Sequence, residues 1–292
     1  MNPVLIASLT ITIGAAFWGL YWTPLHAIED AGVVGASAVI LFNIPALIGS
    51  GLVLLFWRPR GAPRLSAECA AGLAAGLGLA LYAMGLLFTT VVKATLLFYL
   101  TPVWSTLIAM AALGERPGAL RWVALATALV GLALILGLAG DDLLDFGVGE
   151  AFGLASGVCW AFGAVLIRRN GGAGPMLSFM QFATVVVVAG IAAAALGETA
   201  PSADAALAAL SPFVVLMSLA ILLSIYAIFW AVAQISPGRA GLLMMTEVVV
   251  AVLSAAILLP EQALTTTEWI GAALIVGAGT LEVLGGERTE TA

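Results

Sequence analysis

The chain has 292 residues, 63% of them hydrophobic and only 9% charged, with a formal net charge of −6. Ordinary water-soluble domains carry about a quarter charged residues, so this composition excludes one and points to a protein that crosses a membrane many times. The acidic balance gives no basic footprint for a nucleic-acid partner. The two cysteines, Cys69 and Cys159, are too few for a metal centre and fall in or beside apolar stretches, where no disulfide is expected.

A membrane-spanning helix needs roughly 20 mostly apolar residues. Ten stretches meet that length and predict helices over 4–25, 34–57, 67–90, 95–114, 119–139, 149–168, 176–197, 210–234, 239–260 and 267–285. They are continuous in Leu, Ala, Val and Gly and do not alternate as barrel strands do. Span 1 opens on Met1-Asn2-Pro3 without a basic region and is read as a retained helix, not a signal peptide. It carries Trp18, Tyr21, Trp22 and Pro24; span 2 carries Asn43 and Pro45, and span 3 carries Tyr82. Span 4 holds Tyr99, Pro102 and Trp104 before Gly114-Glu115. Span 6 holds Trp160 beside Gly149, Gly153 and Gly157, and span 9 holds Glu247 before Pro260-Glu261.

Cations separate by side. Arg58, Arg60, Arg64, Arg116, Arg121, Arg168, Arg169, Arg239 and Arg288 follow the even-numbered spans, and only Lys93 lies in the other set of connections. The positive-inside bias then places both termini in the cytoplasm. The opposite connections hold Glu29, Asp30, Asp141, Asp142, Asp145, Glu150, Glu198, Asp204, Glu261 and Glu268.

The sequence also repeats. Phe17-Trp18-Gly19 has a counterpart around Trp160, and Thr101-Pro102-Val103 through Gly114-Glu115 matches Glu247-Val248-Val249 through Pro260-Glu261. Trp122 and Trp269 open spans 5 and 10. Three matches in order at a nearly constant offset indicate an internal duplication. Because each copy holds an odd number of spans, the second enters the membrane inverted. The expected fold is an all-α integral membrane protein, ten helices in two inverted five-helix repeats around a central cavity. It forms a single membrane domain over 1–292, with repeat 1 at about 1–141 and repeat 2 at about 148–286. Inverted repeats are a mark of alternating-access transporters.

Polar and aromatic groups in mid-span must be satisfied inside the protein or against a wet cavity. On that ground Trp18, Asn43, Tyr82, Tyr99, Trp104, Trp160 and Glu247 are the candidate substrate-binding residues. Ring walls with few charges suit a moderately apolar zwitterion. Glu247 is the one acidic side chain read well inside a span. Three roles stand for it: a carboxyl bonded to a neighbouring helix, a partner for a substrate ammonium, or a proton carrier. Pro24, Pro45 and Pro102 remove helical hydrogen bonds and are candidate hinges. Glu115 and Glu261, at helix ends on opposite sides, are candidate gate or capping groups. The glycine strips read as helix packing, not ligand contacts. His26 and Lys93 lie at the outer edge. No phosphate cradle is present, and Gly153-Leu154-Ala155-Ser156-Gly157 does not have serine-protease spacing, so no enzyme and no cofactor is expected.

The paired halves, Phe17-Trp18-Gly19, Pro102…Gly114-Glu115 and Glu247…Pro260-Glu261 resemble the EamA-type repeat of the drug/metabolite transporter superfamily over essentially the whole chain. Within that superfamily the chain looks like the YddG-type aromatic amino-acid exporters of bacterial inner membranes. The resemblance implies an inner-membrane exporter of aromatic and other neutral amino acids, with drugs or other small metabolites as the alternative cargo. A facilitative channel is a second alternative. Partners are then a small-molecule substrate and the lipid bilayer, with monomer and dimer both open. Val248 stands where the repeat usually has proline, so no kink matching the one at Pro102 is expected in span 9.

Overall fold

The structure, a computed structural model, describes residues 2–56, 62–137, 146–172, 174–259 and 264–286, the side chains of 62–64 and 285–286 excepted. In chain order the helices are α1 (Pro3–Trp18), α2 (Trp22–Asp30), α3 (Gly35–Phe56), α4 (Ala62–Phe88), α5 (Val91–Phe98), α6 (Thr101–Leu113) and α7 (Ala119–Ile135). The second half contributes α8 (Val148–Arg169), α9 (Pro175–Ala195), α10 (Ala203–Ala209), α11 (Pro212–Val232), α12 (Pro237–Met244), α13 (Thr246–Leu258) and α14 (Thr266–Gly286). Among the described residues nine spans are long and apolar enough to cross a membrane, with α1–α2, α5–α6 and α12–α13 each counted as one. The 17-residue α7 is apolar but shorter, about 26 Å at 1.5 Å per residue. The protein is a multi-pass membrane protein. The short helix α10, between α9 and α11, was not expected from hydropathy.

Local chemistry starts these helices where the sequence changes character. Asn2, Thr90, Ser202, Ser211 and Ser236 each accept a bond from a backbone N–H of the first turn of α1, α5, α10, α11 and α12. Proline occupies the first turn of α1, α9, α11 and α12, where its missing N–H costs nothing. Large apolar side chains face outward, with Ile13, Leu55 and Ile257 at 69%, 74% and 77% exposure. That is the reverse of a water-soluble protein and fits a surface covered by lipid tails.

Small residues hold the interior together. A side chain at Gly72 or Gly76 of α4 would meet Met180 Cβ at 2.7 Å or Thr184 Cβ at 2.6 Å, so these glycines let α4 lie directly on α9. Gly149 and Gly153 of α8 approach Thr89 and Ala94 in the same way, which agrees with their reading as packing strips. Helix contacts follow a pattern that survives exchange of the two halves. The α4·α8 contact has its counterpart in α1·α11, α4·α9 in α3·α11, and α6·α8 in α1·α13. The contacts α3·α9 and α7·α14 map onto themselves.

Three spans read as single helices are broken. Span 1 breaks at Gly19–Tyr21, span 4 at Tyr99–Leu100 and span 9 at Met245. At each break the hydrogen bonding shortens from i−4 to i−3, as in Tyr21 N to Trp18 O, Val103 N to Leu100 O, and Val248 N to Met245 O. Span 9 therefore breaks without a proline, against the expectation drawn from Val248. Pro102 is the second residue of α6, and the carbonyl it leaves free, Phe98 O, is taken by Thr101 Oγ1 at 2.5 Å. Pro24 lies in the first turn of α2, where no helical bond is lost, so the expected freed carbonyl is absent there. Pro45 does sit inside the continuous α3. Span 6, the counterpart of span 1, runs unbroken as α8.

Candidate functional site

The three breaks meet. A side chain at Gly19 would come within 2.6 Å of Glu247 O and 2.7 Å of Val250 Cβ, so the break in span 1 lies directly on the first turn of α13. One at Gly241 of α12 would reach Pro102 Cα at 3.0 Å, and one at Gly157 of α8 would reach Phe98 O at 2.8 Å. The break in span 4 is thus clamped between α8 and α12 by two glycines.

At this junction Phe98, Tyr99, Thr101, Pro102, Trp160, Gly241, Met244 and Glu247 line a small chamber. Its walls come from the C-terminal ends of α5 and α12, the N-terminal ends of α6 and α13, and the middle of α8. Half-helix ends of both polarities therefore face one space, partial negative charge from α5 and α12 and partial positive charge from α6 and α13. The chamber has room for on the order of one water molecule, far less than a metabolite needs.

Glu247, half-buried in the first turn of α13, faces the Tyr99 hydroxyl at hydrogen-bonding range. Tyr99 is buried and packs edge-on against Phe98, centroids 5.1 Å apart, and Phe98 meets Tyr82 at 4.8 Å. The Tyr82 hydroxyl is 3.0 Å from Thr95 Oγ1. On the other flank Trp18 stacks on Tyr21 at 5.5 Å, and Tyr21 packs edge-on against Phe42 at 4.7 Å with its hydroxyl toward Asn43. Asn43 Nδ2 donates to Val39 O at 2.8 Å. Of the predicted site residues, then, Tyr99, Trp160 and Glu247 line the chamber. Tyr82 stands behind Phe98, and Trp18 and Asn43 belong to the adjoining Tyr21 cluster. Trp104 is not among the lining residues; its indole Nε1 is buried without a partner in α6.

Other expectations fare differently. Glu115 follows the Gly114 cap of α6 and is half-buried, whereas Pro260 and Glu261 lie outside the described residues. Glu68, Glu150 and Glu282, toward the ends of α4, α8 and α14, are buried more fully than Glu247. Glu150 was expected in an outer connection, but the first turn of α8 holds it against Lys93 at 3.5 Å and under the Thr89 hydroxyl. His26 is exposed and lies 3.7 Å from Glu29. Trp22 donates to Ser254 Oγ at 3.0 Å and ties α2 to α13.

Both ends of the bundle are fastened. At the acidic end the Glu198 carboxylate accepts from Ala36 N, Ser37 N and Ser37 Oγ at 3.0 to 3.1 Å, capping α3 across the halves. Burial alone pushes this carboxyl up, but the three donors outweigh it and hold it below the usual carboxylate range. At the cation-rich end Arg121 bonds Ser236 Oγ at 2.6 Å and Glu282 at 2.5 Å, while Arg168 Nη1 reaches Ala233 O at 2.8 Å.

Sequence reasoning missed Phe98, Thr101, Gly241 and Met244. Apolar or small side chains carry no signal until a break turns them inward. Among the described residues no group of His, Cys, Asp or Glu could hold a metal ion.

The sequence matches the EamA-like transporter family twice, over residues 5–137 and 147–281. No curated protein matches. Among solved structures, one described as the crystal structure of a protein matches at a TM-score of 0.72 and 20% identity, covering 95% of this chain and 98% of the other. That likeness concerns the fold.

Proposed function

The chain belongs to the EamA-like transporter family, a family of membrane transporters of small molecules and not of enzymes, and we propose that it exports aromatic and other neutral amino acids by alternating access. In this reading it is a ten-span secondary transporter of the cell inner membrane, with inverted halves, both termini in the cytoplasm, and α7 as the short tenth span.

One observation carries the substrate class: half-helix ends of both signs face a single ring-walled chamber that holds one carboxylate. A zwitterion matches that field. Its carboxylate is favoured at the α6 end, near Thr101, and its ammonium at Glu247 and at the C-terminal ends of α5 and α12. Tyr99 and Trp160 supply ring faces for an apolar or aromatic side chain. The near absence of space means that substrate enters only when the halves move apart. The shortened hydrogen bonding at all three breaks gives the bending points for that motion. The Trp18 and Asn43 cluster and Tyr82 form the wall behind the site, and Pro45, Pro102 and Glu115 belong to the moving parts.

Reconstitution into liposomes tests this reading. Saturable counterflow of labelled phenylalanine, tryptophan, threonine or methionine is expected. Flux without saturation or counterflow would make the protein a facilitative channel, and absence of amino-acid flux would move the cargo to drugs or other metabolites. Flux indifferent to a pH gradient would retire the proton-carrier role of Glu247.

A further inference from the structure

Two contacts that the repeat relates to each other are unequal. Half-helices α5 and α12 begin at Val91 and Pro237, an offset of 146, and Thr101 of α6 corresponds to Glu247 of α13 at the same offset. The contact α6·α12 therefore has α5·α13 as its counterpart. At the cation-rich end α6 lies along α12, with Gly241 against Pro102 and Gly238 against Thr106 and Arg121. At the acidic end α5 and α13 scarcely touch. Burial follows the same division: every residue from Pro237 to Leu243 is buried, and none from Val250 to Leu258 is. Spans 4 and 9 thus cross at the chamber, shut on the cation-rich side of their breaks and parted on the acidic side.

A second inequality holds this arrangement in place. Helices α4 and α8 carry four glycines each, whereas α1 carries one and α11 none. Between α4 and α8 these glycines bring backbone against backbone. A side chain at Gly78 would meet Ser156 O at 3.1 Å, one at Gly85 would meet Gly153 N at 3.3 Å, and one at Gly163 would meet Ala75 N at 3.1 Å. In the counterpart pair α1·α11, a side chain at Gly14 would meet Ile228 Cγ1 at 2.7 Å, so side-chain atoms lie between the two helices. An ion pair adds to the difference. Lys93 of α5 meets Glu150 of α8 at 3.5 Å. The positions related to them, at offsets of 146 and 142, are Arg239 and Ser8, and the Ser8 hydroxyl bonds Val4 O.

Exchange of the two halves turns one working state of an inverted-repeat transporter into the other. In the exchanged state α4 and α8 take the looser spacing of α1 and α11, while α1 and α11 close to the spacing of α4 and α8. Without a glycine, α11 resists that closure through Ile228, because overpacked contacts are costly.

We infer that the empty protein rests unsealed at its acidic end, held there by the glycine-packed α4·α8 contact and the Lys93–Glu150 pair, for which the other half has no equal. The inference rests on the alternating-access reading. Apparent affinity falls with the fraction of protein in the state that receives the ligand, so cargo meets a higher apparent affinity at the acidic end than at the cation-rich end.

The test uses the full-length protein with Cys69→Ser, Cys159→Ser and Met244→Cys in sealed vesicles that carry no substrate. Asp30→Cys and Asn170→Cys, at exposed positions of the acidic and cation-rich ends, identify the two faces. A small membrane-impermeant thiol reagent is expected to label position 244 at least about tenfold faster from the Asp30 face than from the Asn170 face. Gly163→Ala fills the α4·α8 contact and is expected to shift that ratio severalfold toward the Asn170 face. Glu150→Gln, which adds no volume, is expected to shift it the same way, and Gly14→Ala is not. No labelling from either face, faster labelling from the Asn170 face, or a ratio that neither Gly163→Ala nor Glu150→Gln moves would overturn the inference. So would an equal shift from Gly14→Ala. Equal labelling from both faces would overturn it alone in a preparation with saturable phenylalanine counterflow, and together with alternating access in one without.

Discussion

Glu247 and Glu198 show how little a residue type says without its surroundings. Both are carboxyls near a helix N-terminus, yet one faces a ring-walled chamber and the other closes the bundle. Glu247→Gln keeps the shape and a hydrogen bond to Tyr99 but removes the charge an ammonium would meet. A charged hydrogen bond contributes about 1.5–3 kcal/mol, so phenylalanine counterflow is expected to fall by at least about tenfold, with thermal stability unchanged. Unchanged flux would leave Glu247 a structural group. Glu198→Gln removes the charged cap of α3 and is expected to cost about 1 kcal/mol at neutral pH. Because the folded carboxyl is held below its ordinary value, its stabilisation is complete above the unfolded carboxylate range and is lost as pH falls through the lowered folded one. The difference in melting temperature between wild type and Glu198→Gln should therefore shrink in acid. A gap that stayed constant with pH would mean the charge plays no part.

The informative elements are the broken ones. Gly19, Gly157 and Gly241 are the close approaches through which the break in span 1 touches α13, the break in span 4 touches α8, and α12 touches α6. Gly19→Val places side-chain atoms where Glu247 O and Val250 already sit. Overpacking of this kind costs about 1–3 kcal/mol, and here it also forces the half-helix ends apart. Counterflow is expected to be lost while the protein still purifies as a folded species; full activity would show that the junction does not need its close contacts. Pro102→Ala restores an N–H that can bond Phe98 O in place of Thr101 Oγ1. A straighter span 4 and transport slowed severalfold are expected, measured by initial-rate flux. The break in span 9 tempers that expectation, because Met245 manages without proline.

For the molecule as a whole, the proposed alternating access requires one end to open while the other stays shut. The cation-rich end is held by Arg121 to Ser236 and Glu282 and by Arg168 to Ala233, which join α7, α8, α14 and the α11–α12 connection. Glu282→Gln leaves Arg121 without its buried counter-charge and weakens that fastening. Labelling of a cysteine placed in the chamber, from the side of the cation-rich end, is expected to rise severalfold in this variant. A labelling rate equal to wild type would remove the Arg121 cluster from the gating machinery. The exchange symmetry of the helix contacts gives the complementary expectation that loosening Glu198 at the opposite end shifts accessibility the other way.

Composition and hydropathy by themselves determined that the chain lives in a bilayer, because runs of about 20 apolar residues have no other stable home. The duplicated segments and the split of arginines were equally legible, and Tyr99, Trp160 and Glu247 stood out as mid-span groups that must face something other than lipid. Only the tertiary structure decided that spans 1, 4 and 9 are interrupted, that the break at Met245 needs no proline, and that Phe98, Thr101, Gly241 and Met244 share a wall with Glu247. A window of hydropathy sums side-chain transfer energies and is blind to whether the backbone bonds i−4 or i−3. That choice is made by what packs against the helix.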